Sequence, residues 1–592
     1  MTKSKKVQKP SNLYSDPAKI AFLLAPGPVA FFLITLGFLV YLDSLGNSFH
    51  LDDRLSIIQN PSLHDWRNLK ALLNAFNTRL FVGFTFALNY AFGKLDVFGY
   101  HFFNILVHSL SAFLLYTLVV LSFKTPVLEK SPLQRDHRLI GLLAGLVFLT
   151  HPIQTQAVTY VWQRAASLAT FFYLMALVFY IRSRLKSSWI DYTLSLASTI
   201  LGMFSKEITF TLPVAILLYE CFFFHGPSKK KRFLLLLPFL LSLLIIPLML
   251  LRAHSITNPL MKPEVLSDLT RFVGEERMPR KEYLLTQIRV TRTYLRLFLF
   301  PMNQNLDYDY PLSHSLLESH TLQPFLLLLG ILGTGVFLLK KHRLVSFGVF
   351  WFFLALSVEA LVPQQDVIFE HRMYLAMAGL SIALSYFLFS LAQEKHLRSI
   401  IMILLVFLIA SYSFLTYKRN GVWRDELSLW DDVVKKSPHK TRAYWSRGDA
   451  YKQKGDFEKA IADYNKAITL SPYCYEIYIN RGIIYKTTGH LEQAISNYDQ
   501  VIKINPRFAK AYYNRGNAYQ EKGDLDKALL DYNKALTMNP LNTAEIYNNR
   551  SVSYFFKKEY EKSWEDAQKS ISMGYHVHPG FIKELKKKLR EK

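Results

Sequence analysis

Two cysteines in 592 residues, Cys221 and Cys474, are far too few for a disulfide framework. The chain also lacks the usual catalytic signatures. It has no P-loop, no HExxH and no GxSxG, and no glycine-rich dinucleotide loop. Its histidines and cysteines show no metal-ligand spacing. Acidic residues are in deficit, with 45 Asp and Glu against 70 Lys and Arg, a formal charge of +25. Such a balance can serve nucleic acid binding, but the placement of the basic residues argues against it.

What is abundant is apolar surface. Hydrophobic residues make up 51% of the chain and aromatics 15%. Uncharged runs recur at 20–42, 100–123, 233–251 and 322–339, and about 20 helical residues cross a bilayer. The expectation is an all-α, polytopic membrane domain of about eleven spans, near 20–42, 100–123, 139–152, 165–181, 190–204, 208–225, 233–252, 322–339, 345–362, 373–392 and 399–416. With the basic N-terminus "MTKSKKVQKP" in the cytoplasm, the inner connections hold "KTPVLEKSPLQRDHR", "RSRLKS", "GPSKKKR", "KKHR" and "QEKHLR". Lys and Arg concentrate on that side, as the positive-inside rule requires. The charge is therefore a topology signal, and no nucleic acid partner is expected. The first run reads as a retained span after a tail at 1–19, not as a removed signal peptide. An odd number of spans sets the C-terminal region outside the cytoplasm and keeps the two cysteines on opposite sides.

Near residue 419 the composition changes and a repeat begins. Arg447-Gly448, Arg481-Gly482 and Arg515-Gly516 stand 34 residues apart, as do Pro438, Pro472, Pro506 and Pro540. Within a unit, Gly448, Tyr451, Ala460, Tyr464, Ala467 and Pro472 follow tetratricopeptide spacing. Small residues let two helices pack closely, and proline ends the second. The last unit, from Arg550 to Ile571, is slipped by one residue, with Ser563 and Ser570 in place of alanines, as suits a terminal cap. A tetratricopeptide-repeat α-solenoid over 419–592 is expected, its tyrosines serving as core.

On this topology the polar residues of interest gather on the outer face. The first outer loop, 43–99, carries Asp52 and Asp53, followed by Trp66, Leu69, Leu72 and Leu73 at the spacing of an interfacial helix. "HPIQTQAVTYVWQR" brings His151, Gln154 and Arg164; "SKEITFTLP" brings Lys206 and Glu207 to a tight turn. The large outer loop, 253–321, holds Arg289, Arg292 and Arg296 at helical spacing, and "PQQDVIFEHRMYL" holds Glu370, His371 and Arg372. Singly, each has an ordinary explanation. The acidic pair can cap a helix, Arg164 and Lys206 can snorkel to the interface, Glu370 and Arg372 can pair, and the arginines can form one solvated face. Together they place acids and bases in turns between apolar spans, where charge is costly without a role. A transporter would instead carry its charges near mid-membrane. A scaffold would need neither so many spans nor these clusters.

The stretches "FHLDDRLSIIQNP", "FTFALNYAFGKLDVFGYHFFNILVHSLSAFLL", "THPIQTQAVTYVWQRAASLA", "SKEITFTLP", "NLDYDYP", "EHRMYLAMAGL" and "VWRDELSLW", in this order, resemble the GT-C glycosyltransferases. They resemble above all the transmembrane and tetratricopeptide-repeat protein O-mannosyltransferases and bacterial proteins of the same build. The resemblance implies a sugar donor on a polyprenyl phosphate, undecaprenyl or dolichyl in type, and a protein Ser or Thr acceptor. It implies that Asp52 and Asp53 act as base and orienting group. Arg164, Lys206, Arg372 and His371 would hold the lipid phosphate, and His151, Gln154, Glu207, Arg292 and Glu370 would support the site. The acidic pair neither demands nor excludes a divalent metal. The eukaryotic relatives carry longer repeat arrays than these four units, which points to a bacterial inner-membrane protein with periplasmic repeats. In a eukaryote the endoplasmic reticulum membrane would hold it.

Overall fold

The computed structural model describes residues 22–224, 229–255, 278–364, 366–540 and 542–591. The basic tail at 1–19, residues 225–228 of the "GPSKKKR" connection and residues 256–277 of the large outer loop lie outside the described residues. The described residues divide into two compact units, one ending at Asp432 and one running from Val433 onwards. No strand occurs among the described residues.

The first unit is a helical membrane domain. All eleven expected segments contain helix, and eight described helices are long and apolar enough to cross a membrane by length and composition. The difference in number has identifiable causes. Pro26–Val40, Trp189–Met203 and Leu212–Phe223 are only 15, 15 and 12 residues long. The segment at 139–152 runs into a bent pair, Gln134–Thr150 and Pro152–Thr159, that turns through 53°. In the other direction, Leu69–Gly93 qualifies as a span, although the sequence suggested an interfacial helix there. Only its first eight residues, Leu69–Phe76, are amphipathic; after a break at Asn77 (φ 44°) the stretch Leu80–Gly93 is apolar apart from Thr85, Asn89 and Tyr90.

Close helix contacts fix the turns that matter. A Cβ on Gly348 would collide with the carbonyl oxygen of Gly379, and one on Gly379 would meet that of Gly348. Arg343–Leu361 and Met373–Leu391 therefore pack backbone to backbone. The contact holds Glu359, near the end of the first, beside the Glu370–Arg372 turn that opens the second.

The second unit is a stack of helix pairs: Thr441–Gln453 with Phe457–Leu470, Tyr475–Thr487 with Leu491–Ile504, Ala509–Lys522 with Leu525–Leu536, and Thr543–Phe556 with Tyr560–Ser572. Pro579–Arg590 follows them. Each repeated glycine faces a tyrosine ring; a Cβ on Gly448 would lie 2.7 Å from Tyr464. The repeated arginines clamp carboxylates in the second helix, Arg447 to Asp463, Arg515 to Asp531 and Arg550 to Asp566, while Arg481 takes Asn497. The turns between paired helices need positive φ, met by Gly455, Gly489 and Gly523 and, in the slipped fourth unit, by Lys558 (φ 63°). Tyr464, Tyr498 and Tyr532 are buried, as expected of core residues.

Candidate active site

The acidic segment is tied down by backbone and side chain alike. Asn47 donates to the carbonyl of Asn420 (3.1 Å), and the His50 ring meets that of Trp423 (2.7 Å). Asn420 in turn donates to Val40 O and accepts from Thr159. The loop after the first span is thus laced to the end of the last described span and to the turn at 155–163.

Within this lattice the two carboxylates differ completely. Asp53 is buried, with Oδ2 accepting from the His50 amide (2.9 Å) and Oδ1 from the Trp162 amide (2.7 Å). Burial pushes its carboxyl well above the usual range; the two amides oppose that, Asp52 adds to it, and Arg164 offsets it. Asp52 is exposed, and its amide donates to the Tyr160 hydroxyl (3.0 Å). One carboxylate joins two chain segments, and its neighbour faces out from the joint.

A second group forms around Glu359. Lys206 Nζ lies 2.8 Å from Glu359 Oε1 and Arg372 Nε 3.4 Å from Oε2, so two cations share one carboxylate. Arg372 also donates to the carbonyls of Val367 and Asp366, and the Asp366 charge acts on it. Lys206 is close enough for ion pairing but is angled away from a hydrogen bond, leaving its N–H groups without an acceptor. His371 Nδ1 and Gln156 Nε2 are likewise buried without a partner, although Gln156 Oε1 accepts from the His371 amide (2.7 Å). Arg79 pairs with Glu207 (3.3 Å), lies over the Trp162 ring and, with Lys206 and Arg372, acts electrostatically on His371. Buried polar hydrogens of this kind attract an anion.

Of the expected phosphate ligands, Lys206, His371 and Arg372 converge here, and Arg164 does not. Its side chain is fully buried and donates to Asn104 (2.7 Å), Asn89 (2.7 Å), Thr85 (3.2 Å) and Tyr100 O (2.9 Å), between the rings of Phe86 and Phe103. It pins helices together and cannot reach a lipid phosphate. The supporting residues are also mostly structural. His151 is buried with its ring bonded to Phe298 O, and Gln154 is buried against Phe148 O. Glu370 is buried and accepts from the Asn305 amide, Tyr308 and Gln304. It therefore anchors the "NQNLDYDY" segment. Arg292 is exposed on Arg280–Leu299, apart from these groups. Arg79, Gln156, Tyr160 and Glu359 are site residues that sequence alone does not single out. Glu359 had a signal, since it is the one acid in the run "WFFLALSVEAL"; the others had none. Among the described residues no three His, Cys, Asp or Glu side chains are grouped to hold a metal ion.

Glu207 gives a direct check on this arrangement. Burial works against its charge, but Arg79, the Thr78 hydroxyl (2.6 Å) and Lys206 outweigh it and hold the carboxyl at about 2. A depressed carboxylate stabilises the fold above its unfolded pKa of about 4.5 and loses that contribution as pH falls towards 2. The Glu207→Gln variant should therefore lose part of the acid sensitivity between about pH 4.5 and 2 in thermal unfolding of the detergent-solubilised protein. An unchanged acid profile would mean that the pair with Arg79 contributes nothing.

Models of the tetratricopeptide repeat match residues 448–489, 485–523 and 509–542. Protein O-mannosyl-transferase F38B6.6 of Caenorhabditis elegans is 25% identical over 446 residues, 70% of this chain and 59% of its own length. Protein O-mannosyl-transferase TMTC3 of Homo sapiens is 24% identical over 69% of this chain and 48% of its own length. The chain is similar to the TMTC-type protein O-mannosyl-transferases. It spans about half the length of the curated TMTC-type relatives it matches. The solved structure of MamA overlays at a TM-score of 0.24 with 23% identity, over 25% of this chain and 85% of that one. This multi-pass membrane chain joins apolar helices to tetratricopeptide repeats.

Proposed function

We propose that this chain is a GT-C-type membrane glycosyltransferase that moves a sugar, mannose in the first instance, from a polyprenyl-phosphate donor to a protein Ser or Thr hydroxyl. The reaction is placed at the outer face of the membrane, which for a bacterial protein is the periplasmic face of the inner membrane, with the repeats holding the acceptor. The observation that carries this is the buried, unpartnered Nδ1 of His371 and Nε2 of Gln156, beside a carboxylate shared by Lys206 and Arg372 at the ends of apolar helices. Such a site suits a phosphate whose lipid tail stays in the bilayer.

Chemically, the acceptor oxygen attacks the anomeric carbon and the bond from that carbon to the phosphate oxygen breaks. Polyprenyl phosphate leaves with the electron pair, and the hydroxyl proton passes to the exposed Asp52 carboxylate. Lys206 and Arg372 stabilise the charge that grows on the departing phosphate.

The test is transfer from polyprenyl-phosphate-linked mannose to a Ser/Thr peptide by the purified protein in detergent. Hydrogen bonds to charged groups contribute about 1.5–3 kcal/mol. Lys206→Ala and Arg372→Ala should therefore each raise KM for the donor about tenfold or more, and lower kcat as well because the same groups stabilise the departing phosphate. Unchanged donor KM in both variants would remove the phosphate assignment, and absence of any transfer by the unaltered protein would remove the function.

A further inference from the structure

The Asp52 side chain is exposed, yet its backbone is held in place by one buried group. The Tyr160 hydroxyl accepts from the Asp52 amide at 3.0 Å, and the charge of the Asp52 carboxylate acts on it. A phenol has one hydrogen to donate and lone pairs to accept with, so one oxygen can engage both ends of the same residue. The Tyr160 ring is 3% exposed and is stacked on Trp423, with centroids 5.7 Å apart and planes at 21°. Trp423 is fully buried, and its carbonyl meets the His50 ring three residues before Asp53. Two residues beyond Tyr160, the Trp162 amide donates to Asp53. The turn 160–162 therefore grips 50–53 at consecutive residues, Asp52 by its amide and Asp53 by its carboxylate.

On the reading that Asp52 is the base, we propose that Tyr160 is a positioning residue, whose hydroxyl fixes the backbone and the carboxylate rotamer of Asp52 for proton transfer. A solvent-exposed aspartate is otherwise free to rotate, and small misplacements of a reacting group are costly in rate. The charged and titratable groups around this hydroxyl are Asp52, Asp53 and His50, with Arg164 acting on Asp53 and Asp425 on His50. Burial, with the charges of Asp52 and Asp53, pushes the phenol well above its ordinary value, so it remains a donor through neutral and mildly alkaline pH. Burial pulls His50 down to about 4, which keeps its titration away from the alkaline range.

Two replacements test this in the full chain, with sugar transfer as the readout. Tyr160→Phe keeps the stack on Trp423 and removes only the hydroxyl; kcat should fall ten- to a hundredfold with the donor KM unchanged. Placing 3,5-difluorotyrosine at position 160 keeps the hydroxyl and the stack but weakens the oxygen as an acceptor, so kcat should fall by less than in Tyr160→Phe, again with the donor KM unchanged. A Tyr160→Phe kcat within twofold of the unaltered protein, or a donor KM that rises in step with the fall in kcat, would overturn the inference. Should Tyr160→Phe fail to fold, the difluorotyrosine kcat and KM decide alone, and a kcat equal to that of the unaltered protein overturns it. Asp52→Asn, measured in parallel, separates the two levels. Full activity in Asp52→Asn removes the base and this inference together. An inactive Asp52→Asn beside a normal Tyr160→Phe removes this inference only.

Discussion

Asp52→Asn is expected to lower the turnover of sugar transfer by about 10²–10⁴-fold, the usual worth of a general base, while the donor still binds. The amide matches the carboxylate in size and can still cap a turn, but it cannot take the acceptor's proton. Because Asp52 is exposed and its backbone amide keeps its bond to Tyr160, the variant should fold normally. Asp53→Asn should behave in the opposite way. Its two oxygens accept from the His50 and Trp162 amides, and an amide side chain keeps only one acceptor while turning an NH₂ against the other donor. A buried donor left bare costs about 1–3 kcal/mol, so lower thermal stability should accompany any loss of rate. The two outcomes are read from kcat and from the unfolding midpoint of the same preparations. Near-normal turnover in both variants would mean that the pair only shapes the loop.

Arg164→Leu is expected to yield little or no folded protein. The guanidinium donates to four oxygens contributed by Leu80–Gly93 and Val97–Ser122, the helices that it holds together. Leucine fills part of the volume but leaves each of those acceptors bare, at about 1–3 kcal/mol apiece. The sum rivals the ~5–15 kcal/mol that separates folded from unfolded chains. Arg164→Lys restores the charge but not the fork that reaches several acceptors, so it should recover folding only in part. Yield and monodispersity in detergent measure this. A well-folded Arg164→Leu protein with a raised donor KM would return Arg164 to the phosphate site.

The contrast between these residues shows what a sequence can carry. The repeats were fully legible, because a 34-residue step leaves glycine, tyrosine and proline in register, and each position packs alike in every unit. The apolar helices were legible as hydropathy but not as lengths, since Pro26–Val40 and Leu212–Phe223 are too short to qualify alone. The span at 69–93 was hidden by its amphipathic first two turns. At the site, Lys206, His371 and Arg372 come together because charge in tight turns between apolar helices is a strong signal. The same signal misplaced Arg164, whose burial depends on Thr85, Asn89 and Asn104, residues with no mark in the sequence. Nor could sequence separate Asp52 from Asp53, because adjacent side chains point in different directions and only the partner turn decides which is enclosed.

The lacing of Asn47 and His50 to Asn420 and Trp423 also has a consequence for biosynthesis. The acidic loop leaves the ribosome before the groups that hold it, which are made more than 370 residues later. On the reading that Asp52 is the base, nascent chains carry it through most of membrane insertion without the surroundings that would make it reactive. Assembly of the helix that ends in "NGVW" would then act as a completion check, and premature termination before that point is expected to leave an inert product. Any shortened version intended to retain catalysis must accordingly run past Trp423, even if every repeat is removed.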